Sequence, residues 1–187
     1  MNVYDFDGTI YDGDSSLDFY KFCVKRHPCL LRYLGIQVFS FLFNGIGIVD
    51  KTKMKSMWFS FLKSVPDVDK ELLLFWDCHI NHIKPWYLQY QKNDDVIISA
   101  SPGFLLVECC NRLGIRNLIA SEVDRKTGSF LSENCHDQAK LRFFNKKYPA
   151  GNIDNFYSDS ASDYPLAKLA KRAFRVHKDT ITEWKFS

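Results

Sequence analysis

The chain has 187 residues, 46% of them hydrophobic, with 25 Lys and Arg against 22 Asp and Glu and a formal net charge of +3. That length suits one full domain, or one domain carrying a large insertion, and excludes two large ones. The composition excludes a disordered or fibrous chain, and the near-balance of charge excludes a nucleic-acid binder held mainly by electrostatics. The six cysteines (Cys23, Cys29, Cys78, Cys109, Cys110 and Cys135) contain no C-x-x-C pair. Neither a zinc framework nor a secreted disulfide scaffold is indicated, and reduced thiols packed mostly as small apolar side chains are expected. No leader segment precedes Asp5-Phe6-Asp7, so the expected location is cytoplasmic.

Met1 to Phe6 is a short apolar run ending in acid and reads as a buried strand. Asp12-Gly13-Asp14-Ser15 is turn chemistry that can also cap a helix. From about Ser15 to Lys92 the pattern is helical. Leu17, Tyr20 and Val24 share one face before Pro28 interrupts. Met54, Met57, Trp58, Phe61 and Leu62 form an amphipathic stripe, and Leu72, Leu73, Trp76, Ile80 and Ile83 form another, ended near Pro85. Such stripes are expected to be the core of a small helical bundle. After Asn93-Asp94-Asp95 the period changes. Val96-Ile97-Ile98 reads as a strand, Gly103 to Leu113 as a helix stopped by Gly114, and Asn117 to Ala120 as a second strand. Glu122 to Leu131 reads as a hairpin, Asp137 to Tyr148 as a helix, and Ile153 to Tyr157 as a strand. Ser162 to Lys171 reads as a helix with Pro165 in its first turn, and Ala173 to Val176 as a last strand. Strands alternating with helices imply an α/β fold with a parallel sheet covered on both faces.

Four segments carry chemistry. In Asp5-Phe6-Asp7-Gly8-Thr9, two carboxylates sit two residues apart at the end of an apolar strand. Repulsion and desolvation make that costly unless a cation offsets both. Oxygen donors without nearby His or Cys favour Mg²⁺ over zinc, and a solvated acidic turn is the ordinary alternative. In Ser99-Ala100-Ser101-Pro102-Gly103, a strand end meets a helix start, a setting for an anion, with Ser101 expected to cap the helix. Lys140 falls in the first turn of its helix if Asp137 is the cap. A cation is unfavourable there without an anionic partner. Asp159-Ser160-Ala161-Ser162-Asp163 places a second acidic pair at a strand end, where Asp163 could serve as a helix cap and Asp159 could not. In open α/β sheets such strand ends are where ligands bind.

In this order the four segments resemble the motifs of the haloacid dehalogenase superfamily of phosphohydrolases. Asp5-Phe6-Asp7-Gly8-Thr9 matches the first, Ser99 the second, Lys140 the third, and Asp159 with Asp163 the fourth. The helical insertion, with Thr127-Gly128 and Asn134-Cys135 before Lys140, is similar to the phosphoserine-phosphatase-like branch. The resemblance implies a Rossmann-like core of residues 1–13 and 93–187, with residues 14–92 as a helical cap. It implies a phosphatase with Asp5 as nucleophile and Asp7 as general acid and base. Ser99 and Lys140 would bind phosphate, and Mg²⁺ would be held by Asp5, the Asp7 carbonyl, Asp159 and Asp163. Asp14 is the nearest match to an acidic residue that reads a substrate amino group. The chain departs from that branch at Asp137, where Gly is common, at Ala139, where Glu is common, and at Ser158, where Gly is common. The cap offers no arginine suited to a substrate carboxylate.

Tyr33 to Val49 is seventeen residues without a charge and with three glycines. It is too short and polar for a membrane span, and a buried cap helix is expected. The alternative is a cap on the inner membrane surface. Lys25, Arg26, Lys51, Lys53 and Lys55 flank the aromatic run and suit an anionic lipid surface. A related branch of the superfamily, with similarly apolar caps, acts on phosphatidylglycerophosphate. Three functions therefore follow as expectations: a phosphatase of a small phosphorylated metabolite, a lipid phosphatase of that type, and a phosphate-binding regulatory module that does not turn over.

Overall fold

The computed structural model describes residues 1–186. Six strands form one sheet in the order β3-β2-β1-β4-β5-β6. These are β1 (Asn2–Tyr4), β2 (Val96–Pro102), β3 (Asn117–Ser121), β4 (Ile153–Ser158), β5 (Ala170–His177) and β6 (Thr180–Glu183). The first five are parallel, and β6 returns antiparallel to β5. Alternate residues of each strand enter different apolar clusters. Val3, Val96, Ile98 and Phe156 face one side, and Tyr4 and Ile97 face the other, with half-buried Tyr157 packed beside them. A sheet buried on both faces needs this two-sided hydrophobicity, which is why its strands read as unbroken apolar runs.

Between β1 and β2 lie α1 (Ser15–Arg26), α2 (Leu34–Gly45), α3 (Lys51–Trp58), α4 (Val68–His79) and α5 (Pro85–Tyr90), with short 3₁₀ turns between them. Phe61, Leu62, Leu72 and Trp76 are core as expected, but Met54, Met57, Trp58 and Ile80 of the same stripes are only half-buried and Leu73 is 49% exposed. The helix of the first stripe, α3, ends at Trp58, with Phe61 and Leu62 in a 3₁₀ turn. The four core residues share one cluster with Tyr4, Phe6 and the buried side of α6 (Gly103–Leu113). The Trp76 indole donates to the Leu105 carbonyl at 2.8 Å, tying the insertion to α6. On the opposite face lie α7 (Gln138–Lys147) and α8 (Tyr164–Ala167), through Phe144, Leu166 and Ala167.

Gly114 ends α6 in the left-handed conformation at φ +72°, as expected. Several expectations need correction. The Glu122–Leu131 hairpin is reduced to a single bridge between Val123 and Phe130. The helix expected over Ser162–Lys171 stops at Ala167, because Ala170 already begins the ladder that pairs β5 with β4. Asp137 does not cap α7. It has φ +54° and ψ −126°, and its side chain makes no capping bond. The largest departure is the apolar run Tyr33–Val49. Its helix α2 buries only the polar Gln37 and Ser40, whereas Phe39, Phe41, Leu42, Phe43, Ile46 and Ile48 are exposed. Periodicity identifies the helix but cannot say whether anything covers its apolar side.

Candidate active site

The site lies beyond the carboxyl ends of β1, β2 and β4, at the middle of the sheet. β1 is flanked there by strands whose connections leave in opposite directions, the place where open α/β sheets hold ligands. Asp5 follows β1, and its N–H donates to the Tyr157 carbonyl at 2.9 Å, fixing the carboxylate at the strand end. Four separated segments converge on one cavity of about 430 Å³, whose walls include Asp5, Asp7, Ser99, Lys140 and Asp159.

Lys140 is buried in the first turn of α7. Its ammonium donates to Asp5 Oδ1 and to Asp163 Oδ2, each at 2.7 Å. The anionic partner required by its unfavourable place on the helix is therefore a pair of carboxylates. Burial alone would discharge this lysine, but Asp5 and Asp163 outweigh it and hold the ammonium more firmly protonated than usual. Burial pushes the Asp5 carboxyl up to about 7; Lys140 pulls it down, while Asp163 and Asp159 add to the rise. Asp5 and Asp163 thus share one buried ammonium, with the Asp159 charge acting on Asp5 from nearby.

Asp163 is not the helix cap considered above. Besides Lys140, its Oδ2 accepts from Ser158 Oγ at 2.7 Å, while its buried Oδ1 has no partner among the described residues. The serine in place of the common glycine therefore has a structural use. The Asp159 N–H donates to Thr9 Oγ1 at 2.9 Å, and that hydroxyl lies 3.5 Å from Asp5 Oδ2 and 3.4 Å from Asp159 Oδ1. Gly8 passes beneath at φ +72°, where a Cβ would sit 2.3 Å from Asp159 Oδ2. Only glycine leaves Asp159 its place.

Among the described residues no three His, Cys, Asp or Glu side chains converge into a closed metal cage. A magnesium ion does not need one. It keeps several waters and takes one or two carboxylates. All-oxygen donors around Asp5 and Asp159, the glycine cradle and the unpartnered Asp163 oxygen fit such an ion.

Asp7 accepts from the Ser15 N–H at 2.7 Å through Oδ1 and from Ser101 Oγ through Oδ2. Burial raises its pKa, with the Asp14 charge adding and the Ser101 and Ser15 bonds opposing. Ser101, expected to cap α6, makes no capping bond and serves Asp7 instead. Ser99 is buried beside it, and its hydroxyl accepts from the Ser101 N–H at 3.0 Å. Asp14 caps α1 by accepting from Leu17 N–H at 2.9 Å, and it also lines the cavity rim.

Sequence reasoning missed three supporting cations. Lys55, read as a basic flank of an apolar run, turns inward from α3 to the cavity. It donates to the Ala100 carbonyl at 3.1 Å and lies 3.4 Å from Asn134 Oδ1. Nothing in its spacing sets it apart from exposed Lys51 and Lys53. Buried Lys84 donates to the Gly8 and Lys178 carbonyls at 2.7 and 2.8 Å. Arg175 donates to the Asp159 carbonyl at 2.6 Å. Both brace the acidic loops from behind, and neither lies in a recognisable motif.

Residues 3–168 match the family model described as haloacid dehalogenase-like hydrolase. A curated relative is the histidinol-phosphatase of Neisseria meningitidis serogroup C, 24% identical over 107 residues. That alignment covers 51% of this chain and 48% of the relative, so the chain matches about half the relative's length. A protein of unknown function from Bordetella pertussis Tohama I superposes with a TM-score of 0.74 at 17% identity, covering 92% of this chain and 87% of the other. A phosphoserine phosphohydrolase-like protein from Francisella tularensis superposes with a TM-score of 0.55 at 18% identity, covering 92% and 86%. The two superpositions establish the shared fold.

Proposed function

Because the chain belongs to the haloacid dehalogenase-like hydrolases, we propose that it hydrolyses a phosphomonoester, with Asp5 as the nucleophile. The observation that carries this reading is the pairing of Asp5 with Lys140 at 2.7 Å while Asp7, two residues on, reaches the same cavity on separate hydrogen bonds. One carboxylate is positioned to attack and the other to handle protons. The phosphatase named among the relatives supports the same reaction class.

In the first step an Asp5 oxygen bonds to phosphorus and the ester P–O bond breaks. Asp7, whose burial favours its protonated form, gives its proton to the departing oxygen. In the second step Asp7 takes a proton from water. That water attacks the aspartyl phosphate, releasing phosphate and restoring Asp5. Lys140 and the Ser99 hydroxyl face the phosphoryl oxygens and stabilise the charge that spreads over them. Asp5, the Asp7 carbonyl and Asp159 would hold Mg²⁺, with Asp163 supporting. That ion, when bound, neutralises phosphate charge that would otherwise repel Asp5. Residues 14–92 act as the cap over this site.

Lys55 gives the cavity a second cation, beside an apolar wall that includes Phe41 and Trp58. We read this as recognition of a small phosphomonoester bearing a second anionic group and an apolar portion, with Asp14 at the rim able to meet an ammonium. A second reading, a lipid phosphate, is favoured by one observation. Phe41 belongs both to this wall and to the exposed face of α2. A phosphatase screen over phospho-amino acids, sugar phosphates, nucleotides and phosphatidylglycerophosphate, run with and without EDTA, tests the proposal. Turnover that survives chelation, or that persists in Asp5→Asn, would remove the metal or the nucleophile from it. Lys55→Gln should raise KM for doubly anionic substrates and leave that for a simple aryl phosphate unchanged.

A further inference from the structure

α2 is inverted relative to an ordinary surface helix. Its buried residues are Gln37 and Ser40, which bond the Trp58 carbonyl at 3.1 Å and the Gln37 carbonyl at 2.7 Å. Its outward side is apolar: Phe39 is 56% exposed, Leu42 57%, and in the following turn Ile46 is 69% exposed. The Phe39 and Phe43 rings stack on each other at 6.0 Å. Contiguous apolar surface of this kind marks an interaction site.

Charge identifies the partner. Residues 27–66 contain five Lys and Arg against a single acid, Asp50. Of the five, Arg32, Lys51, Lys53 and Lys63 are exposed, and none forms an ion pair among the described residues. A symmetric dimer through this segment would bring two stretches of like positive charge together, an unfavourable arrangement. An anionic bilayer offers both an apolar interior and an opposing surface charge. No described helix is long and apolar enough to cross a membrane, so α2 would lie in the interface plane.

We propose that the outward face of α2 and its following turn is a docking surface for an anionic lipid bilayer, with Phe39, Leu42, Phe43 and Ile46 entering the headgroup–acyl boundary. The Phe41 ring packs on Trp58 at 5.5 Å, and both line the catalytic cavity. Docking would therefore bring the bilayer against an element that walls this cavity. The docking does not depend on the phosphatase reading, since it involves none of the carboxylates.

The test is flotation of the full chain with vesicles of phosphatidylcholine alone or mixed with phosphatidylglycerol, without substrate. The expected result is flotation with the mixed vesicles, weakened by high salt and reduced about tenfold or more in Phe39→Asp/Phe43→Asp. Both side chains are exposed, so circular dichroism and aryl-phosphate turnover of that variant should match the parent. Absence of flotation would overturn the proposal. So would a stable dimer in light scattering that the same substitutions dissociate, which would assign the face to a second copy. Equal binding to neutral vesicles would also overturn it, because the basic residues would then play no part. Asp5→Asn should float normally, which separates failure of docking from failure of the catalytic reading.

Discussion

Lys140 sets its ammonium 2.7 Å from the Asp5 carboxylate across 135 residues of chain. The pair is buried, and the same ammonium also satisfies Asp163. Truncating one partner of a buried ion pair leaves the other uncompensated, typically at a cost of about 3–5 kcal/mol. Lys140→Met should therefore lower the denaturation midpoint as well as turnover. Adding Asp5→Asn should recover part of that stability while activity stays absent. A thermal-melt double-mutant cycle checks this, and simple additivity would contradict the coupling.

Gly8 is required by Asp159 rather than by turn geometry alone. A methyl group at Gly8 would meet Asp159 Oδ2 at 2.3 Å, and the positive φ adds strain. Gly8→Ala should weaken the apparent affinity for divalent cation by about tenfold or more, as displacement of metal-site groups usually does. Titrating activity with Mg²⁺ checks the shift. An unchanged midpoint would mean that Asp159 does not hold the ion.

Ser101 donates a hydrogen bond to the Asp7 carboxylate. Burial raises the Asp7 pKa, and the Ser101 bond opposes that rise by favouring the charged form. Ser101→Ala removes the opposition, so the pKa should climb further. Asp7 would then remain protonated to higher pH, and the limb of the pH–rate profile that Asp7 sets should move upward. Turnover at neutral pH should fall roughly tenfold, within the range of general acid–base contributions. A lower rate with an unmoved profile would reduce Ser101 to packing.

Much of this site was legible in the sequence because its elements are local. An apolar run ending in acid marks the strand ends at Asp5 and Asp159, and the order of these segments with Ser99 and Lys140 is what resembles the family's motifs. What was not legible depends on competition in three dimensions. Capping rules assign Ser101 and Asp163 to helix starts, yet both side chains find stronger partners in Asp7 and Lys140. Lys55 looks like one more basic residue beside Lys51 and Lys53 until α3 is rotated onto the cavity. The face of α2 shows the converse limit: hydrophobic spacing predicts burial only when the chain itself supplies the covering surface.

Asp137 carries strain without a visible return. It adopts φ +54° and ψ −126° with no capping bond, at the turn that aims Lys140. Relieving such a conformation is worth about 1–3 kcal/mol, against about 0.4–1 kcal/mol of added freedom in the unfolded chain. Asp137→Gly should therefore stabilise the protein by about 1 kcal/mol with turnover unchanged. A lowered melting temperature would show that the aspartate makes a contribution of its own.

A covalent bond between Asp5 and phosphorus can be observed directly. Asp7→Asn keeps the nucleophile but removes the group that activates water, so the intermediate should accumulate when an aryl phosphate with a good leaving group is supplied. Mass spectrometry of rapidly acid-quenched protein reads this directly. The expected result is the mass of one phosphoryl group added to the peptide containing Asp5, absent in Asp5→Asn/Asp7→Asn. A phosphoryl group on another residue, or an unlabelled Asp7→Asn chain that still turns over, would contradict it.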